Sequence, residues 1–255
     1  MERIRPTVLV GDIHGCLEEF DELLKLIEYD QFNKDQMRLI LLGDLFDRGP
    51  DPLGCIRRAR ELNLECILGN HEEKQIRWNK NQNRFIQTGE PNLMKRMSEV
   101  DCKVNESLNE DDWKWIKGLP LKLDLGLNWW AVHAGMEPCY SLHNQRPSQI
   151  MRVRYVDQNG KAKPLNLDKS QPEGTVYWDE LWKGPESIIY GHCVHDLREP
   201  RIKISGDVNC IGIDTGCCFG GRLTAFILKN VDNKFETSFV QVQAKKKYYA
   251  GYGDE

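Results

Sequence analysis

Four of the chain's 6 histidines stand in the same setting. His14, His71, His133 and His192 each come at the end of a short apolar run, with glycine, alanine or asparagine beside them. A lone histidine of this kind is ordinarily a hydrogen-bonded core residue. These four are accompanied by Asp12, Asp44, Asp47 and Asn70, which together make an oxygen and nitrogen donor set without a thiolate. Such a set suits Mn²⁺, iron or Zn²⁺ rather than Ca²⁺ alone. Two divalent ions need a shared ligand, and a carboxylate can bridge where an imidazole cannot. Ions roughly 3.5–4 Å apart clamp the attacking and leaving oxygens of an in-line phosphoryl displacement, and water bound to one becomes hydroxide near neutral pH.

The densest stretch is Gly43-Asp44-Leu45-Phe46-Asp47-Arg48-Gly49, with two carboxylates and a guanidinium between two glycines. Buried carboxylates cost several kcal/mol unless something positive compensates them. Arg48 adds a planar, bidentate grip on phosphate oxygens. A polar turn after a strand would be the simpler reading of this stretch alone, but the chain repeats the arrangement.

The elements that must position these residues are legible as strand–loop–helix units. Thr7–Val10 reads as a buried strand ending in Gly11-Asp12-Ile13-His14-Gly15, and the next segment spaces Leu17, Phe20, Leu23, Leu24 and Ile27 as an amphipathic helix. Arg38–Leu42 delivers the Asp44–Arg48 loop, and Pro50-Asp51-Pro52 opens a second helix. Glu65–Leu68 is a third strand, ending in Gly69-Asn70-His71-Glu72. Polar residues just after a strand's C-terminal end are the usual site of an α/β protein.

Residues 72–128 read as a polar helical insertion anchored by Trp78, Met94, Met97, Trp113 and Trp115, with Asn109–Asp112 as the acidic start of a helix. Asn128–Val132 and Ser187–Tyr190 are strands ending in His133-Ala134-Gly135 and Gly191-His192, with a loop-rich section between them. The C-terminal part reads as strand throughout: Asn209–Ile213, Arg222–Leu228 and Phe235–Val242, with Asp214-Thr215-Gly216 in a turn. The expectation is one domain over 1–244 and a flexible tail over 245–255.

Composition narrows the class. The 255 residues are 40% hydrophobic and 29% charged, with a net charge of −4, which gives no basic face for a nucleic-acid partner. No apolar run approaches a membrane span, and none of the signal-peptide type precedes the first strand. The 9 cysteines are odd in number and scattered, without a Cys-x-x-Cys pair, which argues against a disulfide framework and a thiolate zinc site. A reducing cytoplasm is the expected location.

The ordered series Gly11–Gly15, Gly43–Gly49, Gly69–Glu72, His133–Gly135 and Gly191-His192 resembles the motifs of the phosphoprotein phosphatase superfamily of metallophosphoesterases, and it spans most of the chain. Phe46, where a smaller aliphatic is commoner, and Cys193 depart from that pattern without removing a ligand. The resemblance implies an α/β (α+β) fold, a calcineurin-like β-sandwich of two mixed sheets flanked by helices, with metals at the strand ends. It implies that Asp12 and His14 bind one metal, Asp44 bridges, and Asn70, His133 and His192 complete the second, with Mn²⁺ the expected ion. It implies His71 as general acid oriented by Asp47, and Arg48 with Arg152, or alternatively Arg154, as phosphate clamps.

Arg152-Val153-Arg154-Tyr155 and Ile213–Gly216 resemble segments of bacterial symmetrical diadenosine tetraphosphatases and of phage-lambda-type protein phosphatases. The expected substrate is therefore a nucleoside polyphosphate, diadenosine tetraphosphate first. A phosphoprotein is the alternative, with specificity for Ser/Thr or for Tyr as well. An inactive metal-binding scaffold is the third reading, but it should have lost a ligand or the acid, and none is missing.

Overall fold

Strands Thr7–Val10 (β1) and Arg38–Leu41 (β2) are apolar on both faces because each face meets a different core. Val8, Val10, Leu39 and Leu41 point to helices Leu17–Leu26 (α1) and Pro52–Glu61 (α2), where they join Phe20, Leu23, Cys55, Ile56 and Ala59. Leu9 and Ile40 point the other way, into a second core shared with Ala131, Ile189, Ile211 and Phe226. Truncating Leu9, Ile40, Leu41 or Phe20 to alanine would cost about 2–5 kcal/mol.

The computed structural model describes residues 5–29, 36–94 and 97–250. In the first sheet, β1, β2 and Glu65–Cys66 (β3) run parallel. Arg222–Val231 (β13) lies antiparallel to β1 and carries Asp214–Thr215 (β12) and Lys234–Gln243 (β14). The second sheet has the order Arg201–Ser205 (β10), Val208–Gly212 (β11), Ser187–Tyr190 (β9), Trp129–Val132 (β5) and Lys122–Gly126 (β4). Its three central strands are parallel and its edges antiparallel. The two mixed sheets thus face each other across the Leu9–Phe226 core, the expected sandwich.

Several expectations need correction. The insertion is helical over Asn70–Thr88 (α3), Glu99–Ser107 (α4) and Glu110–Lys117 (α5), but its end is strand β4 rather than helix. β4 pairs with β5 through a bulge, and its mixed polarity is that of a half-exposed edge. The third strand ends at Cys66, two residues early. The loop-rich section contains a small sheet of Tyr155–Val156 (β6), Ala162–Lys163 (β7) and Val176–Tyr177 (β8), beside short helices Pro147–Ile150 (α6) and Trp178–Leu181 (α7).

The start of the expected tail makes hydrogen bonds to the body of the chain. Lys245 N–H and Tyr248 Oη–H both donate to Glu19 Oε1, at 2.9 and 2.7 Å, and the Tyr248 and Tyr249 amides donate to the Cys218 carbonyl. Residues 251–255 of that stretch lie outside the described residues. As the acidic stretch suggested, Asn109 caps α5 reciprocally with Asp112.

Candidate metal centre

The parallel strands bring their C-terminal ends to one edge, and each end delivers one part of the site. β1 gives Asp12 and His14, β2 gives Asp44, Asp47 and Arg48, β3 leads into Asn70 and His71, β5 gives His133, and β9 gives His192. His14, Asp44, Asp47, Arg48 and His192 all adopt positive φ, between 45° and 69°. Side chains other than glycine reach that region at a cost, and clusters of such residues mark functional loops.

Backbone carbonyls set the tautomers of two imidazoles. His14 Nδ1 donates to Phe46 O and His133 Nδ1 donates to Leu42 O, each at 2.7 Å, which leaves their Nε2 lone pairs facing the site. His14 Nε2 lies 3.7 Å from Asp44 Oδ2, and His133 Nε2 lies 3.3 Å from Asp44 Oδ1 and 3.0 Å from Asn70 Oδ1. Asp44 belongs to two groups of convergent donors, one with His14 and His71 and the other with His133 and His192. Asp12 lies 3.9 Å from His14 Nε2 and accepts the His192 amide on both oxygens at 3.0 Å. Lone pairs and carboxylates that converge this closely while buried are repulsive unless cations or protons lie between them, so the donor set fits a binuclear cation centre.

Charge states follow the same logic. Burial raises the Asp44 carboxyl, but with protons in place of cations on His133, His71 and His14 their charge outweighs it and holds the group well below the usual range. Asp12 goes the other way: burial first, then the Asp214 and Asp44 carboxylates, push it well above the usual range. The Asp214 carboxyl, at the end of β12, is pushed up to about 6, chiefly by burial.

His71 is tied to Asp47 by a 2.5 Å contact from Nδ1 to Oδ2. Lys74 Nζ, at 2.7 Å, and Gln75 Nε2, at 2.9 Å, donate to the same carboxylate. Burial raises Asp47, yet His71 and Lys74 more than offset it and keep it ionised. α4 braces these partners in turn, through Asp101 to Lys74 and Asn105 to Gln75. The insertion therefore supports the site as well as packing Trp113 and Trp115 against the helix-side core.

Arg48 donates to His14 Nε2 at 2.7 Å, with its guanidinium over the Phe219 ring at 5.0 Å. Arg152 is held by Glu73 of α3, while Arg154 lies beside the Cys193 thiol, which burial pushes up to about 11. All the candidate metal ligands read from the sequence thus meet at one edge, and the two arginine alternatives occupy different surroundings.

Two residues went unassigned in the sequence. Buried Glu72 accepts the amides of Asp44, Leu45 and Gly69, clamping the Asp44 loop to the start of α3. Its signal was Glu at the third position of a helix, the reach-back half of a capping box. Asp214 was read as a turn residue, although an acid directly after Ile211–Ile213 repeats the pattern of Asp12 and Asp44. Close approach also requires two glycines: a Cβ at Gly69 would stand 2.2 Å from Asp44 Oδ1, and one at Gly191 2.2 Å from Asp12 Oδ1.

Residues 5–232 match the model of the calcineurin-like phosphoesterases. The chain is 31% identical over 232 residues to the asymmetrical bis(5'-nucleosyl)-tetraphosphatase PrpE of Geobacillus sp. (strain WCH70), covering 86% of this chain and 88% of that one. It is 30% identical over 260 residues to the PrpE of Oceanobacillus iheyensis, covering 95% and 94%. These relatives are named asymmetrical, whereas the motif segments resembled symmetrical enzymes.

Among solved structures, a protein provisionally described as a diadenosine tetraphosphatase superposes with a TM-score of 0.73 at 23% identity over 95% of both chains. A serine/threonine phosphatase from Saccharomyces cerevisiae gives 0.55 at 14% identity, covering 98% of this chain and 82% of that one. At these identities the likeness is one of fold. Motif order, donor geometry and sequence relatives agree: this chain is a metallophosphoesterase of the calcineurin-like phosphoesterase family.

Proposed function

We propose that the chain hydrolyses a dinucleoside polyphosphate, diadenosine tetraphosphate first, and that it cuts asymmetrically to a nucleoside triphosphate and a monophosphate. The carrying observation is the single Asp44 carboxylate shared by two histidine groups, with the His71–Asp47 pair beside it. The names of the sequence relatives supply the substrate class and the asymmetry. Asp12 and His14 would hold one divalent ion and Asn70, His133 and His192 the other, with Asp44 between them and Mn²⁺ preferred. Such a pair supplies Lewis acidity at the phosphoryl group and makes a water acidic enough to attack near neutral pH.

The chain's own residues do the rest. Arg48 and Arg152 grip the phosphate oxygens and hold the reacting phosphorus in line. His71, with Nδ1 fixed on Asp47, keeps Nε2 toward the site and passes its proton to the departing oxygen. The negative charge of Asp47 sustains the protonated imidazole for that transfer. The nine cysteines, none of them disulfide-bonded, suit work in a reducing cytoplasm.

The test compares diadenosine tetraphosphate with a phosphoserine peptide, on chelator-treated protein with Mn²⁺ restored. ATP and AMP released at far higher kcat/KM than phosphate from the peptide is the expected result. Release of ADP alone would overturn the asymmetry, and preference for the peptide would make the protein a phosphoprotein phosphatase.

A further inference from the structure

Away from the nitrogen and oxygen donors, a second convergent group sits in the helix-side core. Cys16, which precedes α1, Glu19 in the first turn of α1, and Cys217 in the turn after β12 place one ligand atom each within 4.8 Å of one another. All three are fully buried, with exposures of 0%, 0% and 1%. Glu19 Oε1 is satisfied twice, by Lys245 N–H and Tyr248 Oη–H, whereas its Oε2 is buried without a hydrogen-bond partner. The Lys245 ammonium does not supply one, since it is turned to Glu18. A carboxylate oxygen left bare beside two thiols in an apolar core needs a cation or a proton.

We propose that Cys16, Glu19 and Cys217 bind a thiophilic divalent cation of the Zn²⁺ class, at a site distinct from the His/Asp centre. Two sulphurs and one carboxylate select zinc over the harder ions that an oxygen and nitrogen set accepts. Binding releases the two thiol protons to solvent, and the two thiolates and the carboxylate then surround the ion. A Cys16–Cys217 disulfide fits less well, because it would leave Glu19 Oε2 bare. Neighbouring Cys218 is not a candidate donor, since its sulphur lies against Arg48 at 3.9 Å. The absence of a Cys-x-x-Cys pair hid this grouping, since its two thiols come from opposite ends of the chain.

The ion would fasten three pieces together: the loop that carries His14, the turn after Asp214, and, through Glu19, the C-terminal segment at Lys245 and Tyr248. The site does not depend on the proposed nucleotide hydrolysis.

The test uses the full chain, reduced and stripped of metal, titrated with Co²⁺. A sulphur-to-cobalt charge-transfer band in the near ultraviolet reports thiolate ligation, and the His/Asp centre holds no sulphur to give one. The expected result is a band whose full intensity corresponds to one thiolate-bound Co²⁺ per chain, lost in Cys217→Ser and weakened at least about tenfold in affinity in Glu19→Gln. It should persist in Asp44→Asn, which damages only the other centre. Should Cys217→Ser fail to fold, the Glu19→Gln and Asp44→Asn titrations carry the same test. The proposal is overturned if the reduced protein shows no band, or if the band is indifferent to Glu19→Gln. It is also overturned if unreduced, denatured protein titrates two thiols short of nine and peptide mapping joins Cys16 to Cys217.

Discussion

Replacing Asp214 by Asn should change the metal-free protein's stability by an amount that depends on pH. The Asp214 carboxyl is pushed from an ordinary 3.8 to about 6, mainly by burial. An acid whose folded pKa is raised contributes stability that is complete below 3.8 and is lost as pH rises through 6. Two pH units at 1.36 kcal/mol each amount to about 3 kcal/mol. Asn cannot ionise, and its Oδ1 can still accept the Gly216 amide as Asp214 does at 3.0 Å.

Asp214→Asn should therefore gain about 3 kcal/mol on the wild type between pH 4 and pH 7, about 6–12 °C in relative Tm for a chain of this size. The comparison must be between the two proteins, because His195 runs the other way. Burial and Arg201 push its pKa down to about 4, so its contribution is present at neutral pH and lost as pH falls from 6.5 to 4. That term cancels in the difference. Thermal melts of both proteins after metal stripping, at matched ionic strength, make the measurement. Restoring divalent ions should abolish the variant's gain, since the ionised carboxylate then faces cations. A difference that stays constant from pH 4 to pH 7 would refute the reasoning, because Asp214 would then be ionised at no cost in the fold.

Two further outcomes are expected. His71→Asn should retain the wild-type metal content by elemental analysis while turnover on substrates with poor leaving groups drops by roughly 10² or more; normal turnover would remove His71 from the acid role. Gly191→Ala should weaken binding of the divalent ions by about tenfold or more in a competition titration, because its methyl group would collide with Asp12 Oδ1 at 2.2 Å. Unchanged affinity would mean that Asp12 is not a ligand.

The site was legible because its parts are local. An apolar run, then glycine, then a donor, is a pattern of about eight residues that survives without knowledge of neighbours, and it singled out Asp12, His14, Asp44, Asn70 and His192 as candidates, while His133 follows its run directly. What escaped depends on contacts across the chain. Glu72 acts on the Asp44 loop, a whole helix upstream, and Asp214 matters because β12 sets it near Asp12. β10 escaped because it is an edge strand of inverted pattern: Ile202 and Ile204 face solvent, while Arg201 and Lys203 are part-buried against Asp179 and Glu180. The strands of the small sheet have two residues each, too few to show a period. Lys245–Tyr249 looked solvated because the partner of Tyr248, Glu19, belongs to the first helix.

The positive-φ loops set a limit on how this protein can be made more robust. Five site residues sit in left-handed backbone at about 1–2 kcal/mol each, a sum comparable with the whole net stability of an ordinary domain. Glycine at His14, Arg48 or His192 would relieve that strain while deleting a donor. Selection for heat resistance alone would therefore drift toward tougher, inactive variants, and a stabilising campaign must hold these loops fixed and seek its gains in the edge strands and outer helices.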